Sequence, residues 1–305
     1  MSGDLGGLLS QELAAPQPPE VTASAASLAA AAPTATAVLF YGSALRTGDL
    51  GGVLDFYVLT ERPHRKGGRG LANRLLPPEV GYREQAGAGR LLRAKVAVMT
   101  MDQFRKAASG RTLDTSVWTR FAQPAALVWS RDEAAAQAVR AAVVEAAITA
   151  AGFAMALGPE RGTAGDFWAA LFRRTYAAEF RVEAAGREQS IVGAAPERYE
   201  VLLPLAWRAG GLPFQAVEGV LTPSLASSQR RRLKRRWALR QALGKPLNLA
   251  RIGKAAFTFD GAARYAAWKI ERHTGVAIAV TPWRERHPLL AAPIAAWRLW
   301  RGGRS

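Results

Sequence analysis

The sequence contains no cysteine and only three histidines in 305 residues. Disulfides, thiolate metal sites and cysteine nucleophiles are therefore excluded, and a histidine-rich zinc site is not expected. No stretch reaches the roughly 18 uninterrupted apolar residues of a membrane-spanning helix. The first residues carry Asp4 and Glu12 instead of a basic run before an apolar core, so no secretory signal is predicted. We expect a cytoplasmic chain that can lie on the inner face of a membrane but not cross it.

Acidic residues are scarce in the last quarter of the chain. Residues 228–305 carry 18 Lys or Arg against Asp260, Glu271 and Glu285, whereas the rest of the chain is nearly neutral within a total of +17. A basic surface confined to one end indicates an anionic partner, either nucleic acid or an anionic lipid surface.

The order of apolar runs and breaks predicts an α+β protein in four parts. Residues 1–20 are rich in Gly, Pro and Gln and are predicted to be a loose N-terminal arm. A domain with a mixed sheet and helices follows at 21–130, then a mainly helical domain at 131–250, for which a winged-helix-like arrangement is one interpretation. Residues 251–305 form a basic C-terminal region with an amphipathic helix.

Individual elements are predicted from periodicity, helix caps and prolines. Helices are expected at 22–32, 101–109, 113–121, 132–151, 166–183 and 227–243, and strands at 38–41, 53–59 and 93–101. Gly152 is expected to end the helix at 132–151. Residues 61–92, with Pro77-Pro78, are predicted to be a long irregular excursion.

The most informative stretch is 38–60, in which a β-type run ends at Gly42-Ser43 and a second run contains Asp55. A carboxylate in an apolar strand is costly to bury unless it is paired or holds a cation, although an exposed edge-strand Asp is the simpler interpretation. This layout resembles that of the nucleotidyltransferase superfold related to DNA polymerase β. Gly42 would let the backbone approach a triphosphate, Ser43 would donate its hydroxyl, and Asp55 would hold a divalent metal.

One residue departs from the superfold pattern. The usual Asp-x-Asp pair is broken because Tyr57 stands at the second position. Glu61 is six residues from Asp55, roughly 20 Å at about 3.3 Å per residue, which is too far to share a metal. A second carboxylate must therefore come from another element.

Four motifs resemble the mitochondrial-type phosphatidate cytidylyltransferases, also called the translocator assembly and maintenance family. They are Tyr41-Gly42-Ser43, Leu54-Asp55-Phe56, Lys95-Val96-Ala97-Val98, and Asp114 with Trp118 four residues later. That family carries only one Asp on this strand and lacks the second acid. Tyr57 at the second position therefore agrees with the family pattern. Two departures are Val96, where the family has Tyr, and residues 121–124, which replace a Gly-Arg-Leu-x-Lys-Pro segment.

The resemblance implies conversion of CTP and phosphatidic acid to CDP-diacylglycerol and pyrophosphate, with Mg²⁺ as cofactor. By the same resemblance, Tyr41, Gly42, Ser43 and Lys95 would bind the nucleotide phosphates and Asp55 the metal. Asp114 would be a second metal ligand or a nucleotide contact. From the residues alone, Lys95 is equally well a strand-edge lysine, and Asp114 a helix N-cap.

The basic end supplies candidates for contact with membrane or lipid phosphate. They are Arg230, Arg231, Arg232, Lys234, Arg235, Arg236, Trp297, Arg298 and Trp300. Trp at the headgroup level with neighbouring Arg suits an interfacial helix, and a C-terminal helix docked on the core is the alternative. Between these segments, Tyr265 and Trp268 are predicted to be buried, and Lys269, Arg272 and His273 could meet a lipid phosphate.

Two other functions fit the same basic end. One is a nucleic-acid-binding protein, with the basic helix on phosphates. The other is a nucleotidyltransferase that modifies RNA or protein. The Trp-rich tail favours the anionic membrane over nucleic acid, because only a bilayer-dependent enzyme needs it.

Overall fold

The computed structural model describes residues 4–274 apart from 64, 66, 88 and 179–186, together with 280 and 281. The helices are Leu5–Leu13 (α1), Pro19–Ala30 (α2), Ser43–Thr47 (α3), Gly67–Leu75 (α4), Met101–Ala108 (α5), Ser116–Phe121 (α6), Glu133–Leu157 (α7), Ala164–Ala178 (α8), Arg187–Gly193 (α9), Pro196–Ala209 (α10), Ser227–Thr258 (α11) and Ala262–Thr274 (α12). The strands are Ala35–Tyr41 (β1), Val53–Thr60 (β2), Glu79–Gly87 (β3), Arg90–Thr100 (β4), Ala125–Ser130 (β5), Phe214–Val217 (β6) and Val220–Pro223 (β7).

Five strands form one mixed sheet in the order β3-β4-β2-β1-β5. β1 runs antiparallel to β2 and β5, β2 runs parallel to β4, and β3 runs antiparallel to β4. The predicted α+β class with a mixed sheet is confirmed. β1 and β2 are the two central runs of the 38–60 stretch, so the motif lies in the middle of the sheet.

The sheet is covered on both faces because alternate residues of its central strands are apolar in both directions. On one face, Val38, Phe40 and Phe56 pack with α2. On the other face, Leu39 and Leu59 belong to a larger cluster that includes residues of α1, α5, α6 and α7. The side chain of Asp55 lies on this second face, since it alternates with Leu54 and Phe56 and pairs with Tyr41.

The N-terminal arm prediction is wrong for residues 5–13. These residues form α1, with Asp4 as its N-cap, and bury Leu5, Leu9 and Leu13. The three leucines recur every four residues and so share one helix face. Glu12 adds a charged contact by accepting a hydrogen bond from Arg198 Nη2 at 3.0 Å.

The larger cluster of buried side chains crosses the boundary predicted near residue 131. Trp118 of α6 stacks on Phe153 of α7 with ring centroids 5.2 Å apart, and Phe153 in turn contacts Trp237 of α11. All three are buried in the same cluster. The sheet and the helices that follow it therefore share a core.

Three element predictions need correction. The irregular excursion at 61–92 contains α4 and β3, and β3 pairs with β4. Gly152 does not end α7, because the buried run from Phe153 to Leu157 continues the apolar face for another turn. The basic helix runs on through Pro246 to Thr258.

One helix in the described part of the chain, α7, is long and apolar enough to cross a membrane by length and composition. Within its most apolar window, 61% of the residues are buried inside the protein. That burial is what a core helix shows.

The remaining fold predictions concern the later parts of the chain. The predicted helical domain contains a two-stranded antiparallel hairpin, β6–β7, and the winged-helix arrangement stays a prediction. The predicted interfacial segment, residues 287–300, lies outside the described residues.

Candidate functional site

The turn after β1 brings backbone and carboxylate into contact. Gly42 has φ 95° and ψ −158°, a conformation available essentially to glycine alone. A Cβ atom at this position would lie 2.6 Å from Oδ2 of Asp55. Ser43 is exposed and begins α3, which is only five residues long. The sequence therefore places an exposed hydroxyl and a bare backbone beside the Asp55 carboxylate.

Asp55 and Lys95 are direct neighbours across the parallel pair β2–β4. Residues in register on adjacent strands share a face, so the carboxylate and the ammonium group project to the same side. Tyr41 pairs with Asp55 on the other side, and Tyr82 pairs with Lys95. Four site residues predicted from sequence, Tyr41, Gly42, Asp55 and Lys95, thus lie together at one end of the sheet.

Tyr57 occupies the position where the superfold pattern has its second acid. Its ring is fully buried, and its hydroxyl accepts a hydrogen bond from Arg120 Nη1 at 3.3 Å. Burial raises the pKa of Tyr57, and the Arg120 charge offsets this only in part. The Arg120 guanidinium also lies 5.1 Å from the Tyr41 ring centroid. Tyr57 therefore remains neutral and fixes Arg120 over the aromatic end of β1.

Asp114 is held by three donors. Its Oδ1 accepts from Ser116 N at 3.0 Å and from Arg251 Nη1 at 2.9 Å, and its Oδ2 accepts from Ser116 Oγ at 2.8 Å. Burial alone would raise the pKa of Asp114, but Arg251 and Ser116 outweigh it and the net shift is downward. The helix N-cap is Thr115 rather than Asp114. Asp114 thus anchors α11 to the loop before α6.

The donor set can be compared with what Mg²⁺ requires. The part of the chain that the structure describes contains no group of three or more His, Asp or Glu side chains that could hold a metal ion. Mg²⁺ commonly uses one or two carboxylates together with waters and substrate phosphates. A single strand carboxylate such as Asp55 suits that mode. Both oxygens of Asp114 accept hydrogen bonds from Ser116 and Arg251.

Some cations of α11 attach the helix to the rest of the protein, and others lie on the surface. Arg240 donates to the carbonyls of Gly110 and Thr112 at 2.6 and 2.7 Å, and Arg236 donates to Gly110 at 2.7 Å. Burial, followed by the neighbouring Arg236, lowers the pKa of Arg240 to about 10. Arg236 was predicted to meet lipid phosphate, but it is a helix anchor in the structure.

Of the other residues predicted to contact lipid phosphate, five lie on α11 and three lie outside the described residues. Arg231, Arg232, Lys234 and Arg235 are exposed on the first turns of α11, and Arg230 is half-buried there. We call these five residues the α11 cationic face. Trp297, Arg298 and Trp300 lie outside the described residues.

Sequence reasoning missed several charged residues around the site. Arg46 of α3 donates to Gln123 Oε1 at 3.4 Å, Arg120 meets Tyr57, and Arg251 meets Asp114. Lys254 donates to the carbonyls of Leu76 and Pro78, both at 2.6 Å. Single basic residues on helices form no motif, so only their position in the fold reveals them.

Comparisons with known proteins add little to this geometry. No family model matches the chain. No curated protein matches it. Among solved structures, a nucleotidyltransferase-like protein from Exiguobacterium sibiricum matches over 93% of this chain and 91% of its own, with 12% sequence identity and a TM-score of 0.28. At this TM-score the two backbones superpose poorly, and we draw no conclusion from the match.

Proposed function

We propose that this protein is a nucleotidyltransferase that joins CTP and phosphatidic acid to give CDP-diacylglycerol and pyrophosphate. The observation that carries the proposal is the contact between the Gly42 backbone and the Asp55 carboxylate, with Lys95 next to it in register. A glycine-only turn beside a strand carboxylate and a cation is suited to a triphosphate, because each supplies a different contact to phosphate oxygens.

The chain's own residues would position the reactants. The bare backbone at Gly42 and the exposed hydroxyl of Ser43 would contact the β- and γ-phosphates, and the Lys95 ammonium would neutralise oxygens of the α-phosphate. Mg²⁺ held by Asp55 would add charge neutralisation on the same oxygens. Tyr41 would support this end of the sheet through its ring, which packs under Arg120.

The bond changes need little proton transfer. An oxygen of the phosphatidate phosphate, already largely ionised near neutral pH, would attack the α-phosphorus of CTP. The bond from that phosphorus to the bridging oxygen would break, and pyrophosphate would leave with the bonding pair. In-line geometry requires the acceptor to approach from the side opposite the leaving group.

An anionic membrane surface is the partner proposed with this reaction. The α11 cationic face supports it, since each Lys or Arg near an anionic surface contributes about 1 kcal/mol. The proposed interfacial segment with Trp297, Arg298 and Trp300 would add to the attachment. A protein attached to the inner face of a membrane would have direct access to phosphatidic acid.

The decisive experiment incubates purified protein with Mg²⁺, labelled CTP and vesicles containing phosphatidic acid, and measures labelled CDP-diacylglycerol. We expect product from the wild type and at least a hundredfold less from Asp55→Asn. Asp102→Asn removes an exposed carboxylate on α5 and is expected to keep full activity. ATP, GTP and UTP in parallel reactions define the base preference.

Two results would overturn the proposal. One is the absence of nucleotide turnover with any lipid acceptor, combined with nucleic-acid binding that falls steeply with salt. The other is transfer of a nucleotide to RNA or to a protein instead of to the lipid. Equal activity of Asp55→Asn and wild type would show that the Asp55 site does not carry out the reaction.

A further inference from the structure

α12 packs against the edge strand β3, close to the Asp55–Lys95 pair. The Tyr265 ring is 5.5 Å from the ring of Tyr82, which pairs with Lys95 in the sheet. One turn later, the Trp268 ring is stacked at 6.3 Å on Tyr265. Both aromatic residues are half-buried. One face of α12 therefore forms a wall beside the candidate site.

Two guanidinium groups meet at Trp268. Arg93 of β4 lies 5.7 Å from the indole centroid, and Arg272 of α12 lies 5.4 Å from it. Nη1 of Arg272 is also 3.4 Å from the position that a Cβ of Gly52 would take. Two guanidinium groups near one aromatic ring repel each other, and a bound anion would reduce that repulsion.

The groups around Arg93 do not use all of its hydrogen-bonding capacity. Glu84 is 4.0 Å from Nε of Arg93 and also accepts a hydrogen bond from the Tyr82 hydroxyl at 2.9 Å. Nε of Arg93 is buried and has no hydrogen-bond partner among the described residues. A buried donor without a hydrogen bond is unfavourable, so the Arg93 guanidinium keeps unsatisfied hydrogen-bonding capacity. Guanidinium groups match phosphate oxygens in geometry as well as in charge.

The position of this cluster relative to Asp55 identifies which phosphate it would bind. β2 carries Asp55, with β1 and the Gly42 turn on one side and β4 on the other. Arg93 is two residues before Lys95 on the same face, about 6.6 Å away at 3.3 Å per residue. A triphosphate at the Gly42 turn would direct its leaving group towards β1. The acceptor must then approach from the β4 side.

We propose that Arg93, Trp268 and Arg272 form a subsite for the phosphate group of the acceptor, a phosphate monoester. The inference rests on the proposed function for its assignment to the acceptor. The two guanidinium groups would bind the monoester oxygens and direct one of them towards Asp55. Trp268 would hold both side chains in place from behind.

Direct binding tests the subsite separately from turnover. Isothermal titration calorimetry of the full-length protein would use water-soluble dihexanoyl phosphatidic acid and, separately, a non-hydrolysable CTP analogue with Mg²⁺. Arg93→Gln and Arg272→Gln are each expected to weaken acceptor binding at least tenfold and to leave analogue binding within twofold of wild type. Arg272→Lys should recover part of the affinity, and Arg105→Gln, an exposed arginine on α5, should change neither.

The chemistry of the ligand is resolved by two further titrations. Glycerol 3-phosphate and inorganic phosphate compete for the same cations, and a lipid acceptor should bind at least tenfold tighter than either. Equal binding of all three would indicate a site for free phosphate and would overturn the acceptor assignment. Thermal melts of Arg93→Gln and of Arg272→Gln verify that a lost titration does not come from unfolding.

Each outcome separates the subsite from the reaction. If the wild type binds the acceptor through Arg272 but forms no product, the proposed reaction fails and the subsite remains. If product forms and both Gln variants bind the acceptor normally, the subsite is wrong and the reaction remains. Weakened binding of the CTP analogue alone would assign the cluster to the nucleotide, and no phosphate-monoester binding by the wild type would refute the subsite.

Discussion

At the scale of single residues, Gly42 couples the backbone of the turn to the Asp55 carboxylate. Gly42→Ala would force a Cβ into a conformation that only glycine adopts readily and to within 2.6 Å of Asp55 Oδ2. We expect a loss of about 1–3 kcal/mol in the free energy of unfolding and loss of nucleotidyl transfer, measured by urea denaturation and by the CTP assay.

Gly48 provides a control that separates backbone strain at a positive φ from a steric clash with Asp55. Gly48 also has a positive φ, 71°, but a Cβ there would meet nothing within 4 Å. Gly48→Ala should therefore cost about 1 kcal/mol and keep activity. Equal effects of the two substitutions would show that the close approach to Asp55 has no role.

Asp114 is the residue whose role the structure changes most. Its carboxylate and the Arg251 guanidinium are both largely buried, with side-chain exposures of 9% and 17%. Asp114→Asn would leave Arg251 without its counter-ion and should cost about 3 kcal/mol in unfolding free energy. Glu133→Gln breaks an exposed pair with Arg140 and should cost less than about 1 kcal/mol. Full stability with complete loss of activity in Asp114→Asn would instead favour a metal ligand.

The part of the site that could be predicted from sequence is the part formed by residues close together in the chain. The turn at Gly42-Ser43 and the strand Asp55 are close in the chain, and their spacing alone brings them together. The pairing of Asp55 with Lys95 joins parallel strands at positions 40 residues apart in the sequence, so only a family resemblance connected them in advance. The partners Arg120 and Arg251 come from distant helices and leave no pattern in the sequence.

At the scale of elements, α11 is fixed by close contact as well as by charge. A Cβ on Gly244 would lie 2.6 Å from the carbonyl oxygen of Ala178, at the end of α8. Gly244→Ala should therefore lower stability by about 1–3 kcal/mol, although alanine favours a helix over glycine. Thermal and urea denaturation measure the change.

A second glycine in the same helix provides the control. A Cβ added to Gly253 would have nothing within 4 Å, so Gly253→Ala should stabilise the protein by up to about 1 kcal/mol. If Gly244→Ala were also stabilising, α11 would not depend on the approach to α8.

The extent of α11 could not be predicted because its sequence has weak periodicity and a proline at 246. The helix persists because Arg240, Arg251 and Lys254 donate to backbone carbonyls along the body of the protein. By contrast, α5 was predicted to within one residue, since Thr100 caps its start. The helix predicted at 22–32 overlaps α2, which begins earlier, at Pro19, and ends at Ala30. Long-range hydrogen bonds therefore determine where α11 ends, which its local sequence does not indicate.

At the scale of the whole molecule, the positive charge performs two different tasks. Arg236, Arg240 and Arg251 hold α11 on the protein and are not available to an outside partner. Arg231 and Arg235 are exposed on the first turns of the same helix. Net charge alone therefore overstates the basic surface, and the α11 cationic face is the exposed part of it that we propose meets an anionic membrane.

That distinction gives a prediction for membrane attachment. A variant with Gln at the four exposed positions Arg231, Arg232, Lys234 and Arg235 should bind vesicles containing anionic lipid at least tenfold more weakly, since each cation contributes about 1 kcal/mol near the surface. Sedimentation with vesicles at low and high salt measures the binding, which should fall with salt for the wild type. Deletion of residues 288–305 should weaken the binding that remains at high salt, because apolar contact with the bilayer is not screened.

Vesicle binding is expected to depend on the location of the cations on α11 and not only on the net charge of the protein. A control variant with Gln at Arg105, Arg140 and Arg208 removes similar charge from other helices and should bind vesicles as the wild type does. Equal weakening of both variants would mean that the vesicles respond to net charge alone. Unchanged sedimentation of the four-site variant would mean that the basic end has a different partner, and RNA added in place of the vesicles would then test the nucleic-acid alternative.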